Sequence, residues 1–175
     1  MQYGNLVPVL KTNILNLARM WMQEIKKSEY MVTYQALSEG ELQKRGEAVF
    51  TNLIKWLDYG ASNEDVKNYF EAVGSIRNDE GFPLSEVNYA LYLVKKVFWC
   101  FSAWKEEIVG NMDSKQLIEF TTILNNYFDL GDFFIIRGYL NKLFKKLNET
   151  DKFSKAELEK LLIKGPGGKV DFSKC

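Results

Sequence analysis

Apolar residues recur every three or four positions along almost the whole chain, the period of helices that bury one face. Leu10, Ile14, Leu17, Trp21 and Ile25 form one such stripe and predict a helix over about 9–27, with a looser segment over 28–37. Ser38-Glu39-Gly40-Glu41 reads as a capping box: the serine hydroxyl accepts from the amide three residues on, and the glutamate reaches back. Behind it Leu42, Val49, Leu53, Trp56 and Leu57 continue the periodicity as far as Gly60, a left-handed stop. Ser62 opens the next predicted helix, with Glu64 and Asp65 against the positive end of its dipole. Val66, Tyr69, Phe70, Val73 and Ile76 supply its buried face.

The sharpest boundary lies between Arg77 and Val87. Gly81 is the expected C-terminal stop, because glycine enters the left-handed region without a Cβ penalty. Phe82 can then fold back as the hydrophobic contact of that cap, Pro83 prevents continuation, and Ser85-Glu86 offers the cap of the next helix. This predicts a helix–turn–helix corner and specifies no chemistry. The helix beyond it, about 86–108, carries Val87, Leu91, Val94, Val97, Phe98, Phe101 and Trp104 on one face. Tyr89, Leu93, Trp99 and Cys100 lie on the other, so it is expected to be central, with Cys100 a buried thiol and Gly110 its end.

Asp113-Ser114-Lys115-Gln116 opens a last long helical region running to about Leu147. Gly131 and Gly138 lie inside it, seven residues apart, and each costs about 1 kcal/mol relative to alanine in a helix. Either the helix breaks at Leu130-Gly131-Asp132, or a neighbouring backbone comes close. Ser154-Lys155-Ala156-Glu157 is a further capping box, predicting a short helix through Ile163 before Gly165-Pro166-Gly167-Gly168 and a tail ending at Cys175. The reading is all-α: a bundle of five to six helices in one domain, 1–164, with a flexible glycine-rich tail, 165–175.

Composition narrows the chemistry. A chain of 175 residues, 46% hydrophobic and 14% aromatic, can bury one substantial core. Basic and acidic residues number 23 each, so no general pull toward nucleic acid or anionic lipid is expected. Histidine is absent, which removes the imidazole of Ser-His or Cys-His nucleophiles, of zinc sites, and of proximal haem ligation. Cys100 and Cys175 form no CxxC pair, and a reducing cytoplasm is the simplest compartment. No signal-peptide order is visible, and the most apolar stretch, Tyr89 to Trp104, is interrupted by Lys95 and Lys96 and is too short for membrane insertion. No catalytic, metal or cofactor residue is singled out, and an enzyme is not expected.

Arg77, Glu80, Gly81, Phe82, Leu84, Ser85 and Glu86, with Leu91 one turn on, resemble the N-terminal domains of the RsbR/RsbRD family of bacterial stress-signalling proteins. The similarity spans about 15–140. The resemblance implies a globin-like, non-haem sensor of five or six helices, usually dimeric and placed ahead of an output domain. No STAS-type output domain follows here, so output is expected through a separate partner, unless such a domain has been removed.

Individual residues carry alternative readings. Arg77 is expected to neutralise the end of its helix and Glu80 to be solvated; the alternative is a polar pair coupling two helices. Glu86 reads as a helix-start carboxylate. Trp99, Phe101, Trp104, Tyr127, Phe128, Phe133 and Phe134 read as core, or else as the lining of an apolar pocket. Gly131, Gly138, Trp99 and Trp104 are candidates for a dimer interface, and Cys175 for a reactive thiol. Lys142, Lys145 and Lys146 read as a solvated face, or as a partner-binding patch. The first functional reading is a non-catalytic signalling module that homodimerises and relays a signal by contact. The alternative is an accessory scaffold docking onto a larger complex through its C-terminal helix and tail.

Overall fold

The computed structural model describes residues 6–59, 63–110, 112–149 and 157. The helices are α1 (Leu6–Thr12), α2 (Ile14–Lys27), α3 (Val32–Gln35), α4 (Glu39–Tyr59), α5 (Asn63–Asp79), α6 (Leu84–Ala103), α7 (Glu106–Val109) and α8 (Ser114–Glu149). No strand occurs among the described residues, so the all-α expectation holds for them. Gly60 and Ser62, the capping box from Ser154 with its helix to Ile163, and the tail with Cys175 lie outside the described residues, Glu157 apart.

The first predicted helix is two. The backbone leaves helical geometry at Asn13, with φ −115° and ψ 11°. The cause is local: the Asn13 side-chain amide donates to the Val9 carbonyl at 2.8 Å, and the Thr12 hydroxyl donates to the carbonyls of Val9 and Pro8. Short polar side chains here compete with the next turn for those acceptors. The buried stripe survives the break, since Leu10, Leu17, Trp21 and Ile25 are all in the core.

Start signals are obeyed more closely. Glu41 N donates to Ser38 Oγ while Ser38 N donates to the Glu41 carboxylate, the reciprocal pair of a capping box. Asp113 and Gln116 make the same exchange at the start of α8, at 2.8 and 3.0 Å. The start of α6 differs from expectation. Pro83 occupies the cap position, so Ser85 and Glu86 lie inside the first turn. The helix also ends sooner, at Ala103, and the short α7 follows in place of a continuous helix to Ile108. Cys100 is exposed, not buried.

α6 is the central element: Ala90, Leu91, Leu93, Val94, Val97, Phe98 and Phe101 are buried, and it touches α2, α4, α5, α7 and α8. The most extensive pairing is α5 against α8. α8 runs unbroken for 36 residues through both glycines, so no break occurs; a neighbouring backbone comes close at Gly138, while Gly131 faces the Phe70 ring. A Cβ on Gly138 would stand 2.1 Å from the Glu71 carbonyl oxygen, and one on Gly74 would stand 2.2 Å from that of Ile135. The two backbones touch at a crossing only glycine permits. No helix among the described residues is long and apolar enough to cross a membrane.

Candidate functional site

The corner between α5 and α6 is built as its sequence dictates. Gly81 has φ +78°, the Phe82 amide donates to the Arg77 carbonyl, and the Gly81 amide donates to that of Asn78. These two bonds are a Schellman cap. Phe82, buried by the fold-back, meets Tyr34 edge-on at 4.7 Å, and its carbonyl accepts the Tyr139 hydroxyl at 2.6 Å. Thus α3, α6 and α8 all converge on one turn.

Glu80 is not simply solvated. Arg45 of α4 donates to both its carboxylate oxygens, at 2.9 and 3.0 Å, and Arg77 adds a bond of 2.8 Å. Both guanidinium carbons also lie over the Phe82 ring, 5.2 and 5.8 Å from its centroid. Partial burial pushes the Glu80 carboxyl up, but the bonds and charges of the two arginines outweigh it and hold the pKa below the ordinary value. The polar-pair reading therefore wins, enlarged to a clasp that fastens α4 to the corner.

Glu86 does more than start a helix. It is buried, and its carboxylate accepts the Thr33 amide and hydroxyl and the Tyr34 amide, at 2.9–3.2 Å. The side chain thereby satisfies the open amides of α3 from across the fold. Burial raises its pKa, and these hydrogen bonds only partly oppose that.

Beside the clasp lies a cavity of about 270 Å³ among α2, α3, α4, α5, α6 and α8. Its walls are Val49, Phe70, Val73, Val87, Ala90, Leu91, Val94 and Ile135, with Trp21, Tyr34 and Tyr69. Trp21 is fixed there by donating its indole N–H to the Ala90 carbonyl at 2.9 Å. Lys44, Arg45 and Arg77 also line it, and no acidic side chain does. Arg77 keeps one buried group, its Nε–H, without an acceptor among the described residues. Burial pushes the Tyr69 phenol up to about 12 and raises that of Tyr34 too, although Arg77 pulls both down. Both stay neutral at physiological pH.

None of the aromatics singled out for a pocket lines this one. Phe101, Tyr127 and Phe128 are core, Trp99 packs half-buried on Phe98 and Phe120, Phe134 is half-buried against the core, and Phe133 and Trp104 are exposed. The true lining follows a different signal, a cation extending an apolar stripe: Tyr69, Val73 and Arg77 step by four, as do Arg45 and Val49. Gly131 and Gly138 serve no dimer interface, since Phe70 and Glu71 of the same chain cover them. Lys142 and Lys146 are neither free face nor open patch, because both bind Asp79 and Lys146 also donates to the Asn78 carbonyl. The described residues contain no group of three or more Cys, Asp or Glu placed to hold a metal ion. No protein-family model matches the chain, and no curated protein or solved structure is significantly similar to it.

Proposed function

We propose that this chain is a non-catalytic regulatory module, globin-like in arrangement and free of haem, that homodimerises and relays a small-molecule signal to a partner protein. One observation carries the reading: an apolar cavity lies directly against the clasp that ties α4 to the α5–α6 corner. A molecule entering it touches Arg45 and Arg77, and any movement of those residues reaches Glu80, Phe82 and, through the Phe82 carbonyl, α8. The cavity walls offer binding surface and charge but no nucleophile–base pair, which favours sensing over turnover. The RsbR-like corner supports the same role, because Arg77, Glu80 and Phe82 of the clasp are among the resembling residues.

The test is a thermal-shift screen of small apolar and amphipathic compounds, with sedimentation velocity on each hit. A saturable rise in Tm with a change in self-association is expected. A chain that no compound stabilises, and that stays monomeric at high concentration, would remove the proposal. An accessory-scaffold role draws support from Phe133 and Phe144 on α8, which are 55% and 58% exposed. Recovery of a stoichiometric partner, with no self-association and no ligand effect, would favour it.

A further inference from the structure

The cavity's lining is specific about charge. The aliphatic and phenyl walls would suit any hydrocarbon, but the three ionic groups among the lining residues are all cations. Glu80 occupies Arg45 on both oxygens and Arg77 through one nitrogen, which leaves the Arg77 Nε–H without an acceptor. Lys44 is exposed at the same site and makes no ion pair among the described residues. A buried guanidinium N–H with no acceptor is a vacancy for a carboxylate oxygen, because charge-assisted bonds of this kind are the strong ones.

Resting on the sensor reading above, we propose that the ligand is a single-chain aliphatic carboxylate. Its hydrocarbon lies among Val49, Val73, Ala90, Leu91, Val94 and Ile135, and its head meets Arg77, Arg45 and Lys44. The volume sets the length: about 270 Å³ is just under the range of about 300–1,000 Å³ typical of ligand sites, so a short-to-medium chain fits. The head group competes with Glu80 for the same two guanidiniums. Binding therefore trades an internal ion pair for a ligand one and loosens the hold of α4 on the corner. No bond is made or broken covalently.

The experiment uses the wild-type chain and four probes: decanoate, decanol, decyltrimethylammonium and acetate, each followed by calorimetry and by Trp21-region fluorescence. Decanoate is expected to bind at least about tenfold more tightly than decanol, and acetate and the ammonium compound not at all. The Arg77→Gln variant, checked for native circular dichroism, is expected to erase the preference for decanoate while still binding decanol. Should decanol match decanoate on the wild type, the carboxylate assignment falls and the sensor reading stands. Preference for the ammonium probe also overturns the assignment. If no probe binds, and the cavity-filling Val94→Phe variant raises Tm without changing self-association, both the assignment and the sensor reading fall.

Discussion

At the scale of single residues, Glu80 holds more of the structure than its position at a helix end suggests. Replacing it with glutamine leaves two half-buried guanidiniums sharing a neutral partner beside Phe82. About a third of the Glu80 side chain remains in water, at 34% exposure, so screening limits the loss to about 1 kcal/mol at neutral pH. Its pKa is depressed, so the contribution is complete above the ordinary value of 4.5 and disappears as pH falls through the lower, folded value. Urea midpoints of wild type and Glu80→Gln should differ at about pH 7 and converge as the pH falls below the depressed folded value. A constant gap across that interval would mean the carboxylate's charge is irrelevant. Glu86 has the opposite sign: burial raises its pKa, so ionising it costs stability as pH rises through the window above 4.5. Gly81→Ala isolates backbone strain, since a Cβ there meets nothing within 4 Å while φ stays at +78°. A loss of about 1 kcal/mol is expected from denaturation curves.

At the scale of elements, local signals and pairing signals separate cleanly. The reciprocal caps at Ser38 and Asp113, and the stop at Gly81, depend on atoms within a few residues, and they were legible from the sequence. The break at Asn13 and the proline cap of α6 were missed because two local rules competed at each. In the first, helix periodicity met side-chain competition for carbonyls; in the second, a serine cap met a preceding proline. Gly131 and Gly138 were ambiguous for a deeper reason: whether a helical glycine marks a kink or a contact depends on what lies opposite it. Opposite Gly138 is the α5 backbone itself, which cannot rotate aside. Gly138→Ala should therefore cost about 3 kcal/mol or more despite its better helix propensity. Gly40→Ala is the contrast. It sits in the first turn of α4 with nothing within 4 Å of its Cβ, and should be neutral or stabilising by up to about 1 kcal/mol. Thermal melts of the two variants rank them; equal effects would deny the tight crossing of α5 and α8.

At the scale of the whole molecule, the cavity could not be found by reading one stripe, because its walls come from six helices brought together by non-local packing. Its charge pattern exists only once Arg45 of α4 and Arg77 of α5 face the same space. The outer surface has a similar history. With Gly131 and Gly138 consumed inside the chain, the proposed self-association needs other surface, and α8 turns three apolar side chains outward. Ile118, Phe133 and Phe144 are 67%, 55% and 58% exposed. At about 100° per residue they fall within about 80° of one another around the helix. Single exposed apolar residues are ordinary, but three on one face along a helix of 36 residues, about 54 Å long, can align with a second copy. Arg137, between Phe133 and Phe144, is already paired with Glu71 and presents no free charge to oppose such a contact. The double substitution Phe133→Glu with Phe144→Glu should therefore turn the proposed dimer into a monomer in sedimentation equilibrium. The monomer's Tm should change little, because neither side chain is in the core. A dimer that persists unchanged in that variant would move the contact off α8, toward the face around Trp104, which is 88% exposed.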